Sequence, residues 1–198
     1  MISLVVLCLL LAGISLFVIN NRHTLLAIFY QTLNSEDKAI SEYTKGVESN
    51  PGDAYALYRL GLIYKDRKDF FRAEKIYMKL LEAAPGHPYA YFDLGYIYVE
   101  MKQYDNAIRL FRKALEISPD NFNAHHAIGN IYKDSGRYEE ALSEYEKVLE
   151  LEPAHRYALW DIGIVYEEMG MKEKAEKQIK YYHEMTDCSI RRFWNCFD

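Results

Sequence analysis

The sequence predicts an all-α chain of about five helical hairpins stacked into an array, preceded by one apolar helix. Three observations predict it. Pro, Gly, Tyr and Ala residues return at a constant interval of 34. Apolar residues inside each interval fall at i, i+3, i+4 and i+7, the stripe of an amphipathic helix. Residues 1–19 contain no charged side chain, and all 24 basic and 29 acidic residues follow them. With 50% apolar and 27% charged residues, the 198-residue chain is globular rather than disordered. That length suits a short array of stacked units plus one extra segment.

The first element is the segment 1–19, MISLVVLCLLLAGISLFVI. Eighteen of its residues as a helix span about 27 Å, close to the ~30 Å hydrocarbon core of a bilayer. The expectation is a transmembrane or signal-anchor segment that places one lipid-bilayer pass ahead of the array. A cleaved signal peptide is the alternative, but a basic n-region is missing and Ala12, Gly13 and Ser15 make a weak cleavage signal. A buried soluble helix suits shorter runs. Arg22 and Lys38 follow the segment and nothing basic precedes it, which places the repeat domain on the cytoplasmic side by the positive-inside rule. The localisation expected is therefore a single-pass membrane protein, with export by a cleaved signal peptide as the alternative.

The repeating elements follow. Pro51, Pro85, Pro119 and Pro153 are spaced by 34, as are Gly61, Gly95, Gly129 and Gly163, and Tyr64, Tyr98, Tyr132 and Tyr166. Ala39, Ala73, Ala107, Ala141 and Ala175 carry the step through five copies, and Tyr43, Tyr77, Phe111 and Tyr145 add an aromatic column. Small residues suit the close crossing of two antiparallel helices, with the large rings filling the space beside them. Pro cannot continue a helix interior and so closes each unit. One hairpin cannot bury its stripe alone, so neighbours must stack.

These columns resemble the tetratricopeptide repeat family. The unit 54–87 carries Leu57, Leu60, Gly61, Tyr64, Ala73, Tyr77 and Pro85; the unit 88–121 carries Tyr91, Leu94, Gly95, Tyr98, Ala107, Phe111 and Pro119. The unit 122–155 has His125 at the first apolar place and Ile128 for Leu. The outer units depart further: 20–53 has His23 at that first place, and 156–189 has Asp187 where a closing Pro is expected. Terminal repeats are often atypical because one face meets no other repeat. The resemblance covers about 170 residues and implies a right-handed α-solenoid. Its last helix, near residues 172–185, is charged as a cap should be, and a tail over 190–198 mixes Arg191 and Arg192 with Phe193, Trp194 and Phe197.

The resemblance also implies a concave groove lined by the second, fifth, ninth and twelfth residues of each unit. These are Tyr55, Tyr58, Leu62 and Lys65; Tyr89, Phe92, Tyr96 and Val99; Asn123, His126, Asn130 and Lys133; Tyr157, Trp160, Ile164 and Glu167. Seven are aromatic, and an exposed aromatic cluster marks a recognition surface; half-burial between helices is the competing use of such rings. A carboxylate clamp of the family's type is disfavoured, because His126 stands where a clamp Lys belongs and Asp93 and Asp161 repel an anion.

Other classes are excluded or left without support. A net charge of −5 argues against nucleic acid as a partner. No phosphate loop, dinucleotide fingerprint or nucleophile elbow occurs, so no enzyme, cofactor or small-molecule substrate is expected. The six His are dispersed along the sequence, and Cys188 and Cys196 lack zinc-type spacing, so no metal is expected. The function expected is a membrane-tethered scaffold that binds a peptide or protein with apolar or aromatic anchors in the groove. The alternative is a non-catalytic regulatory or substrate-presenting subunit of a membrane-associated enzyme.

Overall fold

A computed structural model describes residues 21–194, with side chains described through residue 185. Ten α-helices make up the described residues, and no strand occurs among them. They are α1 (Arg22–Thr32), α2 (Glu36–Ser49), α3 (Ala54–Asp66), α4 (Phe70–Ala83), α5 (Pro88–Glu100), α6 (Tyr104–Ile117), α7 (Phe122–Asp134), α8 (Tyr138–Leu151), α9 (Arg156–Glu168) and α10 (Lys172–Trp194). The fold is a helical repeat solenoid of tetratricopeptide type. The chain forms two compact units, Met1–Ile97 and Tyr98–Asp198. In the first, α1 packs on α2, α2 on α3 and α3 on α4; in the second, α6 packs on α7, α7 on α8, α8 on α9 and α9 on α10.

The recurring residues form the interior. Ala39, Ala73, Ala107 and Ala141 are completely buried, as are Tyr43, Tyr77, Phe111 and Tyr145. The glycine column exists because of the aromatic one. A Cβ on Gly61 would lie 2.9 Å from Tyr77 Cζ, and one on Gly129 would lie 2.6 Å from Tyr145 Cε1. In these two hairpins the first helix rests its backbone directly on the ring of its partner helix, and a methyl group there would force ring or helix apart; in the last hairpin Gly163 faces Ile179 instead, whose Cγ1 would lie 3.0 Å from such a Cβ. A further small column, Ala56, Ala90, Ala124 and Ala158, is completely buried one turn nearer the start of each first helix. The sequence reading missed it because Ala is common on helices and carries no hydrophobic weight of its own.

Helix ends follow the same period. The residue closing each hairpin turn has positive φ: Asn34 at 54°, Lys68 and Lys102 at 58°, Gly136 at 71° and Gly170 at 72°. The next backbone N–H reaches back to a Tyr carbonyl each time, as in Asp69 to Tyr64 (2.9 Å), Arg137 to Tyr132 (2.8 Å) and Met171 to Tyr166 (2.9 Å). This is the Schellman arrangement, which satisfies carbonyls at the helix C-terminus. The rings of Tyr64 and Tyr132 take cations from the start of the second helix or its cap, with Arg72 Cζ 4.8 Å from the Tyr64 centroid and Arg137 Cζ 4.3 Å from that of Tyr132. The Tyr column therefore stitches the hairpin turn rather than only filling the core.

Two expectations are corrected. No helix among the described residues is long and apolar enough to cross a membrane, which overturns the single-pass membrane placement and its cytoplasmic orientation. The physical reason is length and charge. Helices α1 to α9 have 11 to 14 residues, and each spans roughly 16–21 Å against the ~30 Å required. Helix α10 has 23 residues but includes Lys172, Glu173, Lys174, Glu176, Lys177, Lys180 and Glu184. The segment 1–19, on which the anchor expectation rested, lies outside the described residues, as does 195–198 of the tail. Helix α10 also does not stop near residue 185 but continues to Trp194, since Asp187 replaces the closing Pro that interrupts the earlier second helices.

Candidate functional site

The first helices of the hairpins carry the groove positions, and each unit gathers a subset into one cluster. In the first unit, α3 supplies Tyr58 and Lys65 and α5 supplies Tyr89, Asp93 and Tyr96. Tyr58 lies 4.9 Å from His87 and 6.5 Å from Tyr89, centroid to centroid, and His87 lies 6.1 Å from Tyr89. Lys65 Nζ is 2.5 Å from Asp93 Oδ1 and 5.9 Å from the Tyr96 centroid. Tyr89 stands well out of the surface, 61% exposed, whereas Asp93 is buried. Burial, with the Asp93 carboxylate beside it, raises the Tyr58 phenol above its ordinary value.

The second unit builds a matching cluster on α7 and α9. His126 lies 5.1 Å from His155 and 6.5 Å from Tyr157, and His155 lies 5.9 Å from Tyr157. His126 Nε2 is 2.9 Å and Lys133 Nζ 2.6 Å from the two oxygens of Asp161. Burial works to raise the Asp161 carboxyl, but hydrogen bonds from His126 and Lys133 outweigh it and hold it below the usual range. Tyr157 is 64% exposed. Asn130 Oδ1 accepts from the Tyr145 hydroxyl at 2.7 Å, so this groove position serves the core.

The remaining candidates scatter. Tyr55 is exposed beside Tyr43, and Trp160 is 42% exposed with its ring against Tyr182 at 5.3 Å. Leu62, Phe92 and Ile164 are half-buried and Asn123 is exposed. Sequence reasoning missed His87 and His155, which it treated as dispersed. The usable signal was their shared repeat position just ahead of a first helix, where Asp53 and Asn121 stand in the other units. All four are N-caps: Asp53 and Asn121 accept through side-chain oxygen, and the two imidazoles accept through Nδ1 from Ala90 and Ala158 at 3.1 Å.

Adjacent His125 and His126 do point to different faces. His125 Nδ1 is 2.6 Å from Glu144, which Lys147 also meets at 2.9 Å. His23, Glu42 and Lys45 form the same trio at 2.7 and 2.6 Å. Where the first apolar place holds His, the facing position on the second helix therefore holds Glu; where it holds Leu57, that position is Ile76. No group of three or more His, Cys, Asp or Glu able to hold a metal occurs among the described residues.

Models of tetratricopeptide repeats match residues 22–53 and 54–87, and 76–109, and a TPR repeat model matches 95–136 and 129–170. Together these span the chain from 22 to 170 without a gap. The chain belongs to the tetratricopeptide repeat family. No curated protein sequence matches this tetratricopeptide repeat protein. Among solved structures it is similar to MamA, with 24% identity over 83% of this chain and 96% of that one and a TM-score of 0.79. It is similar to MamA from Desulfovibrio magneticus RS-1, at 18% identity over 85% and 96% and a TM-score of 0.78. It is also similar to YrrB, described as a TPR protein with an unusual peptide-binding site, at 24% identity over 82% and 84% and a TM-score of 0.71. These likenesses concern the fold.

Proposed function

We propose that this protein is a non-catalytic interaction scaffold whose first-helix face binds an internal segment of a protein partner through aromatic contacts. The observation that carries the reading is the pair of exposed tyrosines, Tyr89 and Tyr157, each seated on a ring cluster beside a lysine–aspartate pair. Exposed rings on a rigid helical frame supply large contact area at small entropic cost. The paired lysines argue for an internal segment over a free C-terminus. Lys65 and Lys133 are engaged by Asp93 and Asp161, so an incoming carboxylate would have to displace a partly buried ion pair. The YrrB structure, which shares the fold, is described as having a peptide-binding site, and that supports the same class of partner here.

The test is partner capture by the full chain and by a variant carrying Tyr89→Ala, Tyr157→Ala and Trp160→Ala. All three side chains are substantially exposed, so helical circular dichroism should be unchanged. Capture of the partner retained by the wild type should fall at least tenfold, on the order of 1.4 kcal/mol. Undiminished capture by the folded variant would remove the groove from consideration.

A further inference from the structure

Displacing the sequence against itself by two repeats places one cluster on the other. Tyr58, Lys65, His87, Tyr89 and Asp93 correspond, at an interval of 68, to His126, Lys133, His155, Tyr157 and Asp161. A displacement of one repeat does not preserve the set: Phe92, Val99, Asn121, Asn123 and Ala127 occupy those places, without a Lys, His or Asp among them. The geometry is duplicated with the residues. The three ring separations are 4.9, 6.5 and 6.1 Å in the first unit and 5.1, 6.5 and 5.9 Å in the second. The lysine-to-aspartate distances are 2.5 and 2.6 Å.

Each cluster has a fixed chemistry. The central imidazole spends Nδ1 on the helix N-cap, which leaves the neutral ring's proton on Nε2 as a donor. Its tyrosine neighbour is the most exposed ring of the cluster. At each place a carboxylate and an ammonium are bonded to each other; the second cluster also has Arg156, with Cζ 5.8 Å from the Tyr157 centroid, where the first has Pro88. An anionic ligand group would meet Asp93 or Asp161, and a cationic one would have to displace a lysine; an uncharged ring does neither. Resting on the scaffold reading above, the geometry points to two equivalent subsites, one in each unit, each taking an uncharged aromatic side chain of the partner with its adjoining peptide carbonyl. Each subsite takes one such anchor.

The test uses N-acetyltryptophanamide titrated into the isotope-labelled full chain and followed by amide NMR. Two separate sets of saturable shifts are expected, one including Ala90 and one including Ala158, the two N–H groups that bond the capping imidazoles. Tyr89→Ala should abolish the first set alone and Tyr157→Ala the second alone, with the remaining spectrum reporting an intact fold. N-acetylalaninamide and N-acetylglutamate amide should produce neither set. Shifts at one unit only, shifts insensitive to both variants, or equal shifts with the alanine or glutamate probe would overturn the duplicated subsites. Such a result leaves the scaffold reading standing if partner capture still depends on Tyr89, Tyr157 and Trp160; loss of that dependence sinks the scaffold reading itself.

Discussion

At the scale of single residues, the aromatic column shows how equivalent positions differ in cost. Tyr43, Tyr77, Phe111 and Tyr145 are all fully buried. The Tyr43 hydroxyl donates to Gln31 and that of Tyr145 to Asn130, both at 2.7 Å. Phe111 has no hydroxyl to place. Tyr77 has one, and its Oη finds no hydrogen-bond partner, because Leu62 stands where Asn130 does and Lys65 is taken by Asp93. A buried polar group left unmade costs about 1–3 kcal/mol. Tyr77→Phe should therefore be neutral or stabilise by about 1 kcal/mol, while Tyr145→Phe destabilises by about 1 kcal/mol. Urea titration of the two variants checks this, and a loss for Tyr77→Phe as large as that for Tyr145→Phe would contradict it. The buried column itself was legible from spacing. Which ring has a hydroxyl partner was not, since the partner comes from the ninth or the twelfth position of the facing helix according to what else that position must do.

Among elements, the hairpin turns are the clearest departure from a uniform repeat. The left-handed residue is Gly136 or Gly170 in the last two turns but Lys68 or Lys102 in two earlier ones. A side chain in that conformation brings Cβ against the following carbonyl at roughly 1 kcal/mol, whereas glycine has no such cost. Lys102→Gly should stabilise by about 1 kcal/mol and Gly136→Lys should lose a similar amount. The shift in urea midpoint measures both, and a destabilised Lys102→Gly would show that the lysine makes up the strain elsewhere. The closing of the units was legible from the Pro column. The extension of α10 to Trp194 was not, because the sequence marks an end by a breaker and the last unit has none.

For the whole molecule, two of the N-caps are histidines. Burial lowers His87 below the usual 6.5, with Asp93 acting the other way; burial and then His126 lower His155, against Glu152 and Asp161. The folded state thus binds fewer protons than the unfolded one below pH about 6.5, so this contribution is complete above that pH and is lost as pH falls through the depressed values. Protonation also turns Nδ1 from acceptor to donor and breaks the cap. A second loss belongs below pH about 4.5, where Glu42, lowered by its bond to His23 and then Lys45, and Glu144, whose bonds to His125 and Lys147 outweigh burial, become protonated. Replacing His87 and His155 by Asn, the residue at the equivalent Asn121, should keep the caps and flatten the fall in unfolding free energy between pH 6.5 and 5. An unaltered slope would place the first transition in other groups. The membrane placement expected from the composition fails at this same scale: the described helices are short or charged.

By itself the sequence determined the class of fold, the hairpin period and the aromatic and Ala39-to-Ala141 columns of the interior, though not the Ala56-to-Ala158 column, because a repeating array makes a packing requirement recur at a constant interval and so leaves it visible in the chain. It also picked out Tyr58, Tyr89, His126 and Tyr157, four of the rings from which the two clusters are built, but not His87 and His155. Only the tertiary structure decided which of them meet: that His87 and His155 turn inward as caps, that Lys65 and Lys133 are matched by Asp93 and Asp161, and that His126 stands over His155. The lysine–aspartate and His126–His155 contacts join residues 28 and 29 positions apart through the stacking of successive hairpins. Their existence depends on side-chain direction and distance across a helix interface, quantities that spacing along a chain does not contain.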